Sequence, residues 1–205
     1  MKTQDRSGRV NRRKQILQAA EKLLLSRGLS GITTRQIAAE AGCSEGALYV
    51  HFKGRLELLL AMLEESLPEM LGPLRRLQQQ VGRGSPQLNL ATALGGIFRF
   101  HQRMTPRIAG LFADPELHAA FRRSLARQNK GPHLSMKALE DYIGAEQRLG
   151  RISRRIDPKL AAYVLMSSSF FHAFCEQFFG RPMRLTWGKL VKQLIETVAP
   201  EAETQ

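Results

Sequence analysis

Apolar residues recur at helical spacing through almost the whole chain, and the period-two runs that mark strands are nearly absent. Ile16, Ala20, Leu23 and Leu24 share one face of a first helix from about Val10 to Arg27. Gly28 stands where a left-handed residue closes a helix, and Leu29 is placed to touch Leu24 in a Schellman ending. The second helix has a complete start. Thr33 at the N-cap and Gln36 three residues on form a capping box, and Ile32 and Ile37 form a hydrophobic staple. It is expected to end near Ala41, before Gly42. Ser44 caps a third short helix reaching about His51, with Glu45 placed favourably in its first turn. Gly54 opens a fourth, where Glu57 can reach back to the N-cap and Leu56, Leu59, Leu60 and Leu63 supply the buried face.

The pattern changes past Pro68 and Pro73, and Gly82, Gly84 and Ser85 mark a loop. Ser85-Pro86, Asp114-Pro115 and Asp157-Pro158 each read as an N-cap followed by Pro at the first helical position, opening helices of about 86–104, 115–129 and 158–179. Another helix lies between Pro132 and Leu149. The last runs from about Leu185 to Val198, with Trp187, Leu190, Val191, Leu194, Ile195 and Val198 on one stripe. The chain is therefore expected to be all-α: a flexible basic arm over 1–9, a small helical domain over 10–54, and a larger helical domain over 55–205. The fourth helix joins the two without a flexible linker.

The segment from Thr33 to Arg55 holds the candidate chemistry. Two short capped helices flank Ala41-Gly42-Cys43; Ala38 is small where helices must cross closely, and Gly42 permits the sharp turn. Ile37, Ala41, Leu48 and Phe52 are spaced to build a small core with the first helix. This is the pattern of a helix-turn-helix unit, whose second helix enters the DNA major groove. Outside that core, Thr34, Arg35, Ser44, Tyr49, His51, Lys53 and Arg55 can donate hydrogen bonds to phosphate. Arg55 also falls in the first turn of the fourth helix, where free N–H groups attract an anion. Glu45, Gly46 and Ala47 begin the recognition helix and can face base edges, Glu45 accepting from a cytosine amino group and Ala47 touching a thymine methyl.

Charge sharpens this reading. The 205 residues carry a formal net charge of +13, and an excess of that size calls for a polyanionic partner. Residues 1–60 hold eleven basic and five acidic side chains, or +6. The rival for such a charge is a basic helical protein that binds a membrane surface or another partner, without sequence-specific DNA binding. That class gathers its cations on one amphipathic helix, whereas here they are spread over both domains. Leu160 to Phe179 is the stretch closest to a membrane span, but three consecutive serines with His172, Glu176 and Gln177 make it a buried helix. The polar, basic N-terminus has no apolar core of a secretory signal. Cys43 and Cys175 cannot form a disulfide framework, which fits a reducing, cytoplasmic compartment. No nucleophile motif or phosphate loop is present, and the five histidines have no metal spacing. Neither catalysis nor a cofactor is expected.

The sequence resembles the TetR (tetracycline-repressor-like) family of transcriptional regulators. The matching elements are Ile16-Leu17-Gln18-Ala19-Ala20 with Gly28, Thr33-Thr34-Arg35-Gln36-Ile37-Ala38 with Gly42, and Gly46-Ala47-Leu48-Tyr49-Val50-His51-Phe52-Lys53, followed by the leucine-rich start at Leu56. Over about residues 10–60 this ordered set is highly specific. The family commonly has Lys where this chain has Arg55 and a more polar residue where it has Gly54. The resemblance implies a homodimer with a three-helix N-terminal DNA-binding domain and a C-terminal domain that binds a small-molecule effector. It implies that the last two helices of each subunit form the dimer interface, and that effector binding changes the separation of the recognition helices on a double-stranded operator, usually relieving repression.

Two further expectations come from the C-terminal pattern. Helix 158–179 is apolar nearly all round: Leu160, Val164, Phe171 and Phe178 cannot share one side with Tyr163, Phe170 and Phe174. A second burial surface is therefore expected, and Ser167, Ser168, Ser169 and Ala173 are small enough for a partner helix to approach. The inward candidates of the larger domain are soft and bulky. Phe100, His101, Met104, Phe112, Phe121, Met136, Tyr142, Met166, Ser169 and Phe170 are expected to line a pocket for a mostly apolar effector.

Overall fold

In a computed structural model the caps and stripes become helices, described for residues 3–28, 32–182 and 186–196. They are α1 (Thr3–Arg27), α2 (Thr34–Glu40), α3 (Glu45–Tyr49), α4 (Arg55–Ser66), α5 (Pro68–Gln78), α6 (Pro86–Phe112), α7 (Pro115–Arg127), α8 (Pro132–Arg148), α9 (Pro158–Phe179) and α10 (Trp187–Glu196). The described residues contain no strand.

The chain folds as two compact units, Met1–Leu67 with Pro106–Gln128, and Pro68–Thr105 with Asn129–Gln205. In the first, α1 packs on α2 and α4, α2 on α3, and α4 on α7. Its core is one apolar cluster that includes Ile16, Ala20, Ile37, Leu48, Phe52, Leu58, Leu59 and Leu63. Leu111, Leu117 and Phe121 belong to the same cluster, so the end of α6 and α7 fold with the N-terminal helices. Both α4 and the 106–128 segment were expected in the larger domain. In the second unit α8 packs on α5 and α9, over a core with Leu77, Leu90, Leu94, Ile143 and Leu165 fully or almost fully buried.

Four boundaries differ from the expectation. The first helix begins at Thr3, so most of the basic arm is helical; no Pro interrupts the segment. The recognition helix ends at Tyr49 rather than His51, with Val50 as its C-cap. Residues 68–78 form a helix despite Pro68 and Pro73. Pro68 stands at the first helical position, where a missing N–H costs nothing, and Pro73 is buried beside Gly96 of α6. A Cβ at Gly96 would lie 2.5 Å from the Pro73 ring, so that close approach requires glycine. Finally α6 continues through Pro106 to Phe112 instead of stopping near residue 104. Leu111 and Arg107 are both buried in the first unit, and their packing outweighs the proline's lost hydrogen bond. Leu29, Leu185 and Val198 lie outside the described residues.

Candidate nucleic-acid interface

The helix-turn-helix is held by short-range hydrogen bonds that the sequence specifies. Thr33 N–H donates to Gln36 Oε1 at 2.9 Å and Gln36 N–H to Thr33 Oγ1 at 3.2 Å, completing the capping box of α2. Gly42 takes φ +64°, and its N–H reaches the Ala39 carbonyl at 3.1 Å. Ser44 Oγ accepts from Ala47 N–H at 3.1 Å and starts α3. Inside, Ile37 and Leu48 are fully buried and Phe52 nearly so. Each such side chain stabilises the unit by roughly 1.5–3 kcal/mol. The fourth-helix start differs in detail: Glu57 Oε2 accepts from Lys53 N–H at 2.9 Å, one residue before Gly54.

Arg35, Ser44, Gly46, Tyr49 and Lys53 are exposed, while Thr34, Glu45, Ala47 and His51 are half-buried. Thr34 Oγ1 donates to Glu45 Oε1 at 2.6 Å and lies 3.5 Å from the Tyr49 hydroxyl, tying the starts of α2 and α3 to the end of α3. Val50, which the sequence reading passed over, is among the most exposed large apolar residues of the unit. Its signal was available: an apolar residue beside Tyr49, off the Leu48–Phe52 face. Two arginines of α1 just after the arm are committed within the unit. Arg12 Nη1 reaches the Ala41 carbonyl at 3.4 Å, at the end of α2, and Arg13 pairs with Glu65 and lies 5.1 Å over the Phe52 ring.

Arg55, expected among the phosphate donors, is half-buried and tied to two partners. Its Nε donates to the Ile32 carbonyl at 2.9 Å and its Nη1 to Asp114 Oδ2 at 3.1 Å. The same carboxylate caps α7, with Oδ1 accepting from Leu117 N–H at 3.0 Å. That backbone bond, then Arg55, holds the Asp114 carboxyl below the usual range. Arg107, almost completely buried, pairs with Glu21 of α1, and burial lowers its pKa. Ser124 and Gln128 of α7 both donate to Glu64 Oε1 of α4. Three polar links therefore fasten residues 107–128 to α1 and α4. The sequence held one sign of this, an arginine on the apolar stripe Phe100, Met104, Arg107, Leu111 of α6.

The expected effector residues do not gather in one place. Phe121 belongs to the core of the first unit, and Phe112 is exposed there with its ring against His118. The other eight lie in the second unit. Tyr142 is fully buried, accepts from Asn89 Nδ2 at 3.0 Å, and burial pushes its phenol up to about 12. Met136 is half-buried on α8. Three of the expected residues, Ser169, Phe170 and Phe100, do meet at His101. Its Nδ1 is 3.0 Å from Ser169 Oγ, the Phe170 ring stands edge-on at 5.6 Å, and Phe100, Met104 and Met166 are buried. Burial lowers the imidazole to about 4, against a smaller upward pull from its hydrogen bonding to Ser169. Among the described residues no group of three or more His, Cys, Asp or Glu is arranged to hold a metal, and no helix is long and apolar enough to cross a membrane.

Known proteins resemble this chain at both levels. Residues 16–62 match the family described as bacterial regulatory proteins, tetR family. The nucleoid occlusion factor SlmA of Shewanella halifaxensis is 30% identical over 167 residues, covering 72% of this chain and 84% of that protein. A TetR transcription regulator from Haloarcula marismortui shares the fold with a TM-score of 0.74 at 17% identity, over 92% of this chain and 98% of its own. SmeT, the repressor of the Stenotrophomonas maltophilia multidrug efflux pump SmeDEF, does so with a TM-score of 0.59 at 23% identity, over 89% and 85%.

Proposed function

This chain belongs to the TetR family of bacterial regulatory proteins, and on that footing we propose that it represses transcription from an operator until a small apolar effector releases it. It is a DNA-binding, ligand-responsive regulator of that family; the direction of control, the residues involved and the effector class are the proposal. The observation that carries the reading is the capped α2–turn–α3 with exposed Arg35, Tyr49 and Lys53, in a chain of net charge +13. In this reading Arg35, Ser44, Tyr49, His51 and Lys53 contact phosphates, Thr34 holds the Glu45 carboxylate, and Glu45, Gly46, Ala47 and Val50 face base edges. Arg55 is reassigned: bonded to Ile32 and Asp114, it ties the start of α4 to the entry of α2 and the cap of α7 rather than binding phosphate.

The active form is a homodimer, as the family implies, joined through the exposed apolar face of α9. The effector lies against Phe100, His101, Met104, Met166, Ser169 and Phe170, where the neutral imidazole and one hydroxyl are the polar groups that orient it. An apolar compound that prefers the DNA-incompetent state shifts the dimer off its operator by its differential affinity. SmeT, a repressor with this fold, supports the repressing direction.

Selection of bound fragments from genomic DNA, using the full chain, tests the reading. The expected result is one enriched inverted repeat. Thermal-shift screening of a chemically mixed library should then yield apolar hits that release it. Hits that are all small and highly polar, or that stabilise the protein without releasing DNA, overturn the effector class. Many scattered sites with no shared motif would overturn the operator reading.

A further inference from the structure

The recognition helix carries one acidic side chain, and its position is fixed from outside the helix. Glu45 stands at the first position of α3 and is half-buried. Its Oε1 accepts the Thr34 hydroxyl proton at 2.6 Å. Thr34 is in turn fixed at the first position of α2 by the capping box on Thr33. A hydroxyl has one proton, so with Thr34 donating to Glu45, the 3.5 Å contact with Tyr49 makes the tyrosine hydroxyl the donor there. In the free chain Tyr49 to Thr34 to Glu45 is thus a directed chain that ends on a carboxylate; on docking, the Tyr49 proton turns from this long contact to a phosphate, while Thr34 keeps hold of Glu45 and Oε2 is left to accept.

A carboxylate on a phosphate-binding face is repelled by the DNA backbone, so it is tolerated only where it meets a hydrogen-bond donor. In the major groove the donors are exocyclic amino groups. Adenine sets its N7 acceptor beside N6–H₂, which opposes a second carboxylate oxygen. Cytosine sets a C–H beside N4–H₂, and guanine and thymine present acceptors at the corresponding places.

We propose that Glu45 reads a cytosine in each half-site through its N4 amino group, and that Thr34 is the positioning residue that presents the carboxylate. This deepens and rests on the DNA-binding reading above. Because the carboxylate is already held by Thr34, little side-chain freedom is lost on docking, and discrimination against the other bases should be roughly tenfold or more at that position.

The experiment is selection from a random duplex library by the full chain and by four variants. Glu45→Ala should relax one position per half-site while leaving the other positions enriched. Having lost a repelling charge, it should bind unrelated duplex at least as tightly as wild type, which damage to the fold would not produce. Glu45→Gln should move that position towards adenine, the base an amide pairs with in bidentate fashion. Thr34→Val should relax the same position in part, and Thr34→Ser, which restores the hydroxyl, should recover it. The proposal is overturned if Glu45→Ala selects the wild-type motif, if its preference is lost evenly at all positions, or if Thr34→Ser behaves as Thr34→Val. A wild-type chain that enriches no motif removes the DNA-binding reading itself, a result distinct from any of these.

Discussion

Lys53 and Arg55 are two residues apart and carry the same charge, but they stand in different surroundings. Lys53 is exposed at the end of the recognition segment, while Arg55 is bonded to the Ile32 carbonyl and to Asp114. Each phosphate contact removed should reduce the slope of log affinity against log salt by about 0.9. Lys53→Ala is therefore expected to lower that slope by about one and to weaken binding by roughly 1–2 kcal/mol on every sequence. Tyr49→Ala should weaken binding by a similar amount without changing the slope, because its hydroxyl is neutral. Arg55→Ala should leave the slope unchanged and instead destabilise the fold by about 1 kcal/mol, a modest figure because both partners retain some solvent contact. Anisotropy titrations at several salt concentrations, with urea unfolding in parallel, check all three. A full unit lost from the slope in Arg55→Ala would return that residue to the phosphate set. The sequence could not separate the pair, since Asp114 lies 59 positions downstream of Arg55 and nothing local signals their meeting.

At the scale of elements, what was legible follows one rule. The starts of α2, α3, α7 and α9 were written in adjacent residues: Thr33 with Gln36, Ser44, Asp114 with Pro115, and Asp157 with Pro158. Their energetics are local, so the sequence displays them. Helices α5 and α6 were misjudged where tertiary packing overrides a local penalty, at Pro73 against Gly96 and at Pro106 beside buried Arg107. The effector residues divided for a related reason, because α6 supplies side chains to both units and periodicity alone does not say which. His101 of α6 offers a measurable consequence. Its folded pKa of about 4 lies below the unfolded value near 6.5. Between those values the unfolded chain binds the extra proton, so stability rises with pH and is lost as pH falls from about 6.5 towards 4. From pH 7 to 5 the loss assigned to this ring is about 2 kcal/mol. Urea unfolding of His101→Gln should show a correspondingly shallower decline over that interval, while carboxylates such as Asp114 act at lower pH. An unaltered decline in the variant would show that the ring is protonated in the folded protein.

Homodimers are a trait of the family, and the proposed contact surface lies on α9 of the second unit. On α9, Leu160, Tyr163, Phe171 and Phe178 are each more than half exposed in the single chain, at 61%, 57%, 55% and 70%, and Phe170 and Phe174 are exposed with them, so the two sets expected on different sides share one face. The opposite side of the same helix is filled by Ala161, Leu165, Ser169 and Ala173, all buried. A helix that has satisfied its own unit and still presents large aromatic groups needs another surface to cover them. Exposed Ser167 lies between these groups and leaves room for a partner helix. A second copy offers the same face, and a two-fold contact between identical faces gives the symmetry that an inverted-repeat operator requires. Phe171→Glu is a sharp probe because the ring does not support the monomer core. Placed at a symmetric contact, the new charge enters twice, so the dimer dissociation constant should rise about a hundredfold, the loss of a binding hot spot. Light scattering should then show a monomer at micromolar concentration, with an unchanged helical circular dichroism spectrum. Operator affinity should fall steeply, while a single half-site is bound as before, since each recognition helix remains intact. In the wild type the half-sites should lie about 34–36 Å apart at the simplest spacing, or slightly more. Full operator affinity from a monomeric Phe171→Glu chain would overturn both the α9 interface and the two-fold reading of the operator.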